Sequence, residues 1–392
     1  MSTAATSAQP IKLFLCGDVM TGRGIDQVLP HPVDPHLHEG CVHSAVDYLR
    51  LAERASGAIS TPVDPCYPWG AALEEWRSMA PDVRVINLET SITRSDAFVP
   101  KGINYRMSPE NAICLTAAEI DCCVLANNHV LDWGRAGLID TLQVLEGHRI
   151  RVAGAGRDAA QASAPAILDV AGKGRVIVVA FACPSSGVPG DWAATRDQPG
   201  VNLLDDLSVT AAANIARDLQ SARKPGDIVV ASIHWGPNWG YAIPARHRRF
   251  AHALIDLANV SVVHGHSSHH PMAIEIYRNR PIFYGCGDFL NDYEGINGFE
   301  EFRGDLSVMY FVSVSPATAE CVALDMLPLQ IKRFQLQRPT SSDIEWIRAT
   351  IDRECHQFGA CVIGSGGKLA LSWPHERLEA ARRGEGPIAV HH

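Results

Sequence analysis

Along this chain, short apolar runs end again and again in an acid, an asparagine or a histidine, and that pattern limits the fold more than any other feature. Lys12 to Cys16 delivers Gly17 and Asp18; Val83 to Leu88 carries Asn87 and runs into Glu89. Cys122 to Ala126 is followed by Asn127, Asn128 and His129, and Asp227 to Ile233 exits at His234. Runs of this length, apolar and β-branched and bounded by turn residues, read as buried strands. Between them lie helical stretches: one over 44–55, and one that Ser108 caps and Pro109 opens, running to about Glu119. Alternating strands and helices gather the strand ends along one edge of a sheet, where α/β proteins place their ligands. The expectation is an α/β fold with one polar site built from strand exits.

The densest exit is Val260 to Asp292. Ser261 to Val263 reads as a strand end, and His264, Gly265, His266, Ser267, Ser268, His269 and His270 as a turn-rich loop on which imidazoles converge. A lone histidine is ordinarily structural, but four in seven residues beside a strand end fit metal ligation or acid/base work. Further strands are expected at 150–153, 175–182, 273–277, 281–285, 306–314 and 321–327, whereas Gly154-Ala155-Gly156 is too short a glycine signal for a nucleotide and reads as a turn. Pro244 opens a helix carrying Arg246, Arg248 and Arg249. Such a basic face is either solvated or a clamp for a substrate carboxylate, which arginine holds through two parallel hydrogen bonds. Residues 30–70, broken by prolines and dotted with histidines, form an irregular insertion that either lids the site or is a solvated loop. An extension over 331–381 is expected to hold a helix to about Phe358, opened by a Ser342 to Glu345 capping box, and an edge strand over 368–373; residues 382–392 lack apolar periodicity and read as disordered.

A net charge of −9 with dispersed basic residues excludes nucleic acid as an expected partner. Met1 to Pro10 has neither a basic nor an apolar region, and no run of about 18 apolar residues occurs, so no membrane association is expected. Eleven cysteines, an odd number without a C-x-x-C pair, read as reduced thiols of a cytoplasmic protein. Oligomeric state leaves no mark in the sequence.

Five blocks carry a family resemblance: Gly17 to Arg23, Asn87-Leu88-Glu89, Asn127-Asn128-His129 with Asp132, His234-Trp235-Gly236, and Gly265 to His269 followed by Arg280 to Tyr284 and Gly287-Asp288-Phe289. In these blocks the chain resembles the CapA-type family of poly-γ-glutamate capsule synthesis proteins, a branch of the calcineurin-like metallophosphoesterase fold. The resemblance implies a layered α/β/β/α sandwich over residues 11–330 with a C-terminal α+β extension. It also implies Asp18, Glu89, Asn128, His234 and His266 as candidate ligands for Mn, Fe or Zn, with His129 assisting. Two departures alter that expectation. Met20 stands where the fold has a histidine, and a thioether is a poor ligand for hard ions; Asp288 replaces the family's usual asparagine. What remains is a single divalent metal or none, and side-chain acid/base chemistry by Asp18, Glu89, His129, His234, His269 and Asp288. The resemblance includes soluble peptide epimerases, so the favoured expectation is inversion of a terminal α-carbon of a peptide substrate in ribosomal peptide biosynthesis. The alternatives are metal-dependent hydrolysis of a phosphoester or γ-glutamyl-type amide, or a part in poly-γ-glutamate synthesis.

Overall fold

The computed structural model describes residues 9–365 and 367–374. Six strands position the site: β1 (Ile11–Val19), β2 (Val83–Leu88), β3 (Cys122–Val124), β4 (Ile228–His234), β5 (Val262–His266) and β6 (Asp288–Leu290). A ten-stranded sheet runs from Cys361–Ser365 through Lys368–Ser372, Cys321–Lys332 and Leu306–Val314 to β1, β2, β3 and Arg151–Ala153. β6 pairs with β1, and Gln335–Gln337 with Cys321–Lys332. A six-stranded sheet runs Ile274–Tyr277, Arg280–Phe283, β5, β4, Gly174–Ala182, Ala166–Val170. The site strands are parallel to their neighbours, β1 to β2 and β6, and β4 to β5.

Alternation along the strands explains the layers. In Gly174–Ala182, Val176, Val178 and Ala180 join the core between the sheets, while Ile177, Val179 and Phe181 join a second core. That second core is closed by helices over Val209–Leu219 and Ala245–Ala258. The first also takes in Leu138, Leu142 and Leu145 from the helix over Gly134–Gly147, and Tyr48 and Ala52 from the helix over Ala45–Ser56. Both faces of each sheet are therefore covered, which is why the strands read as unbroken apolar runs. This is a layered α/β/β/α arrangement. No helix among the described residues is long and apolar enough to cross a membrane.

Four local expectations change. His264, Gly265 and His266 lie in β5 and not in a loop, because pairing with β4 continues through Ser232↔His264 and His234↔His266. The capping box is Thr340 with Asp343, two residues earlier than the Ser342–Glu345 reading, and it opens Ser341–Cys355. Lys368–Ser372 is not an edge strand; it pairs on both sides, and Cys361–Ser365 forms the edge. Ala155–Gly156, expected as a turn, pairs with Gly200–Val201. The expected disorder over 382–392 lies outside the described residues.

Gly17 decides how closely β6 approaches β1. A Cβ there would lie 1.5 Å from the Gly287 carbonyl oxygen. Without one, the Asp18 N–H donates to that oxygen at 3.0 Å and Asp18 falls in register with Asp288. Gly17→Ala should therefore lower the urea midpoint, by about 1–3 kcal/mol of overpacking strain. Gly147→Ala, at a helical position where nothing lies within 4 Å of the added carbon, should hold the midpoint or raise it.

Candidate active site

Strand register assembles the cluster. Asp18 lies abreast of Asn87 on β2 and of Asp288 on β6, while on the other sheet His234 lies beside His266 and Ser232 beside His264. The sheets meet at the Cys16 carbonyl, 2.7 Å from His264 Nε2. A carbonyl only accepts, so His264 Nε2 donates. Burial lowers the His264 pKa to about 4, so the neutral ring accepts at Nδ1 from Ser232 Oγ, 3.0 Å away. Ser232 Oγ in turn accepts from His266 Nε2 at 2.9 Å. His234 Nε2 donates to Asn128 Oδ1 at 3.0 Å. Burial, then neighbouring imidazoles, hold His234 and His266 well below the usual histidine range, so neither carries a second proton. Two Nδ1 lone pairs are thus left facing each other across 2.8 Å, with Asp18 Oδ1 3.8 Å from that of His266.

Neutral imidazoles and a carboxylate with no proton between them suit a divalent cation. The donor atoms of Asp18, His234 and His266 all lie within 4.8 Å of one another, as do those of Asp18, His269 and Asp288. In the second group His269 Nδ1 is engaged with Asp288 Oδ1 at 2.8 Å, so the first group fits an ion better. Of the other candidate ligands, Glu89 Oε1 stands 3.9 Å from His234 Nε2, and Asn128 holds that ring in place. Met20 is fully buried, and its sulfur accepts from the Tyr293 hydroxyl at 3.4 Å.

The acids form a row. Asn87 Nδ2 donates to Asp18 Oδ1 at 2.7 Å and to Glu89 Oε2 at 3.1 Å. The Ser267 N–H faces Asp18 Oδ2 at 3.3 Å from a backbone φ of 101°, a strained value for serine. Burial, then the nearby Asp288, raises the Asp18 pKa to about 7; burial with Asp18 and Asp288 pushes Glu89 well up. A histidine–carboxylate dyad closes each end of the row. His129 Nδ1 is 2.7 Å from Asp132 Oδ2 and its Nε2 is 3.8 Å from Glu89; His269 pairs with Asp288 beside Asp18. Burial, aided by Lys101 and Arg23, brings His129 down to about 4 against the pull of Asp132. Burial also opposes the His269 cation, but Asp288 and Asp18 together outweigh it and the pKa rises. These two residues are 8% and 9% exposed, whereas Asp18, Glu89, His234, His266 and Asp288 are at most 2% exposed, so the two histidines are the parts of the cluster nearest to solvent. His269 opens onto a cleft of about 700 Å³ that Arg23, Trp239 and Tyr293 also line.

Lys101 was not foreseen. Its Nζ donates to Asp132 Oδ1 at 2.7 Å and to the Asn128 carbonyl, from a loop with no periodic signal. Arg23, inside the first sequence block, is buried and paired with Asp292 and with Glu39 of the 30–70 insertion, which also brings Tyr48 to the cleft wall. The arginine helix turns elsewhere. Arg248 is closed onto Glu275 at 2.9 Å, which leaves its fork engaged, and Arg246 and Arg249 are exposed and do not line the cleft.

Residues 12–293 match the family model described as bacterial capsule synthesis protein PGA_cap. The chain belongs to this family. It is 48% identical over 355 residues to a probable polyglutamine synthesis accessory protein of Mycobacterium tuberculosis, covering 90% of this chain and 93% of that one. It is 23% identical over 334 residues to the capsule biosynthesis protein CapA of Bacillus anthracis, covering 85% and 71%. The PGA biosynthesis protein CapA of Bacillus subtilis is 26% identical over 262 residues, 65% of each chain. The match spans β1 through β6, and therefore the whole cluster of strand exits described above.

The raised Asp18 pKa makes a stability prediction for this CapA-type site. An acid that titrates at about 7 when folded and near 3.8 when unfolded is costless below 3.8, costs progressively more up to 7, and costs in full above it. Asp18→Asn removes that cost and keeps an oxygen for Asn87; losing the Ser267 N–H contact is independent of pH. Thermal melts in chelator should show the variant gaining on wild type as pH rises from 4 to 8. Parallel curves would place the ionisation elsewhere.

Proposed function

We propose that this chain is a CapA-type enzyme that acts on a peptide-type substrate by side-chain acid/base catalysis, its reaction being the inversion of an α-carbon. The observation that carries this reading is the pair of buried dyads, His129 with Asp132 and His269 with Asp288, at the two ends of one carboxylate row and with opposite poise. Environments that push two like groups apart assign them acid and base roles. Neutral His129 takes the α-proton from one face, and the His269 imidazolium returns one to the other face. His129 ends protonated and His269 neutral, and exchange with solvent resets both. A divalent ion held by Asp18, His234 and His266 supplies, when bound, Lewis-acid polarisation of the substrate carbonyl.

A second reading is favoured by the facing lone pairs of His234 and His266, which fit an ion-dependent hydrolase of a γ-glutamyl-type amide or a phosphoester. The names of the mycobacterial and Bacillus subtilis relatives, polyglutamine synthesis and PGA biosynthesis, support a glutamine or glutamate polymer or its precursor as the substrate class.

Incubating candidate peptides with the protein in D₂O separates the two. Deuterium at one α-carbon, with altered chirality and no cleavage, is expected from inversion; a two-part product or released phosphate would replace it with hydrolysis. His129→Ala and His269→Ala should each cut turnover by about 10²–10⁴-fold while peptide binding persists. In metal titrations of stripped protein, uptake of about one divalent ion per chain, lost in His266→Ala, is expected from the donor set; two tightly held ions would contradict it.

A further inference from the structure

The cleft beside His269 differs from what a polyanion would need, and we infer that it binds an uncharged peptide segment bearing an apolar side chain. The inference rests on the reading of His269 as part of the reaction centre. Besides the His269 ring, which is paired with Asp288 at 2.8 Å, three cationic side chains line the cleft, Arg23, Arg303 and Lys332, and three carboxylates, Glu294, Glu300 and Asp305, line it as well. Two of the cations are already engaged: Arg23 with Asp292 and Glu39, and Arg303 with Asp305 at 2.7 Å and Asp343 at 2.8 Å. Lys332 alone among the three has no ion pair with the described residues. Behind His269 stand the acids of the row, Asp288 and Asp18. A chain of glutamates entering here would meet fixed carboxylates with a single free cation to offset them, and such like-charge contacts work against binding.

The apolar side of the cleft points the same way. Trp239 lies 5.2 Å from the His269 ring and is stacked on Phe299 at 4.3 Å with planes 8° apart. Phe299, Ile296 and Ile103 are 48%, 49% and 46% exposed, and all three line this one cleft. Large side chains left open to water around a concave site beside reactive groups are covered when a ligand is bound. The volume of about 700 Å³ lies within the range of ligand clefts and admits a side chain together with a stretch of backbone.

The test uses the full chain and two probes of equal length, a capped neutral tetrapeptide containing phenylalanine and a γ-linked tetraglutamate, with calorimetry and tryptophan fluorescence as readouts. The neutral peptide should bind about 10-fold or more tightly than the glutamate peptide, insensitively to salt. Phe299→Ala and Ile296→Ala, both at exposed positions, should each weaken it by about 10-fold, since shielding such a side chain is worth ~1.5 kcal/mol. Lys332→Ala should leave it unchanged. Tighter binding of tetraglutamate that Lys332→Ala abolishes, or failure of the neutral peptide to bind, overturns the inference. Deuterium exchange on a glutamyl substrate without neutral-peptide binding would defeat this inference and leave the acid/base reading standing. Neutral-peptide binding without any α-carbon exchange would do the reverse.

Discussion

A backbone carbonyl accepts and never donates, and the contact of the Cys16 carbonyl with His264 sets the direction of every proton beyond it. Cys16 belongs to one sheet and His264 to the other, so the contact that joins the sheets also orders the line through Ser232 to His266. Each buried group along that line is satisfied, as buried polar groups must be. The exception is its end, where the lone pairs of His266 and His234 meet. An unsatisfied buried acceptor costs about 1–3 kcal/mol, so two aimed at one point suit a divalent cation there. The architecture that packs the sheets together thereby brings these donor atoms together.

The carboxylates extend this argument. Asp18, Glu89, Asp132 and Asp288 are all nearly inaccessible to water, and burial without compensation would neutralise or expel them. The donors supplied are local and mostly neutral: Asn87 between Asp18 and Glu89, the Ser267 N–H on Asp18, Asn291 on Asp288 at 2.8 Å. Arg23, a buried guanidinium, is held by Asp292 and Glu39. Burial first, and then the neighbouring carboxylates, raise the Asp18 and Glu89 pKa values, and the place where a cation would favour their charged forms is the place where the imidazole lone pairs already converge.

Much of this was legible in the chain. β2 matches its apolar run at both ends, and the acids and imidazoles expected at strand exits did converge, because parallel strands fix where their ends lie. The histidine passage was harder. His264 and His266 look like loop residues because polar side chains inside a fully buried strand are rare, and partners remote in sequence, Ser232 on β4 and the Cys16 carbonyl on β1, make them tolerable there. The Lys368–Ser372 strand was mistaken for an edge for a related reason: in its neighbour over Cys361–Ser365 the apolar run Cys361-Val362-Ile363 is only three residues long before Gly364, too short to read as a strand. Lys101 left no trace, since a single lysine in an irregular loop acquires meaning only from what the fold sets against it. The arginine helix erred the other way: three arginines in four residues resemble a binding face, but Glu275, remote in sequence, claims the central one.

The two dyads show how far context exceeds composition. Each is a buried histidine whose Nδ1 meets a carboxylate at 2.7 or 2.8 Å, and by pairing alone both would be raised. Asp132, however, is shared: Lys101 donates to one oxygen at 2.7 Å, and the other takes the Tyr105 N–H at 2.6 Å besides His129. Lys101 Nζ also stands 3.2 Å from His129 Nδ1, so the ring faces a cation nearly as close as its acid at 2.7 Å, and desolvation prevails. Asp288 has no competing cation among the described residues; its second oxygen receives the neutral amide of Asn291, and Asp18 adds negative charge behind it. One lysine from a loop and one aspartate from β1 thus help set the same buried pair of groups in opposite directions at the two ends of the cluster.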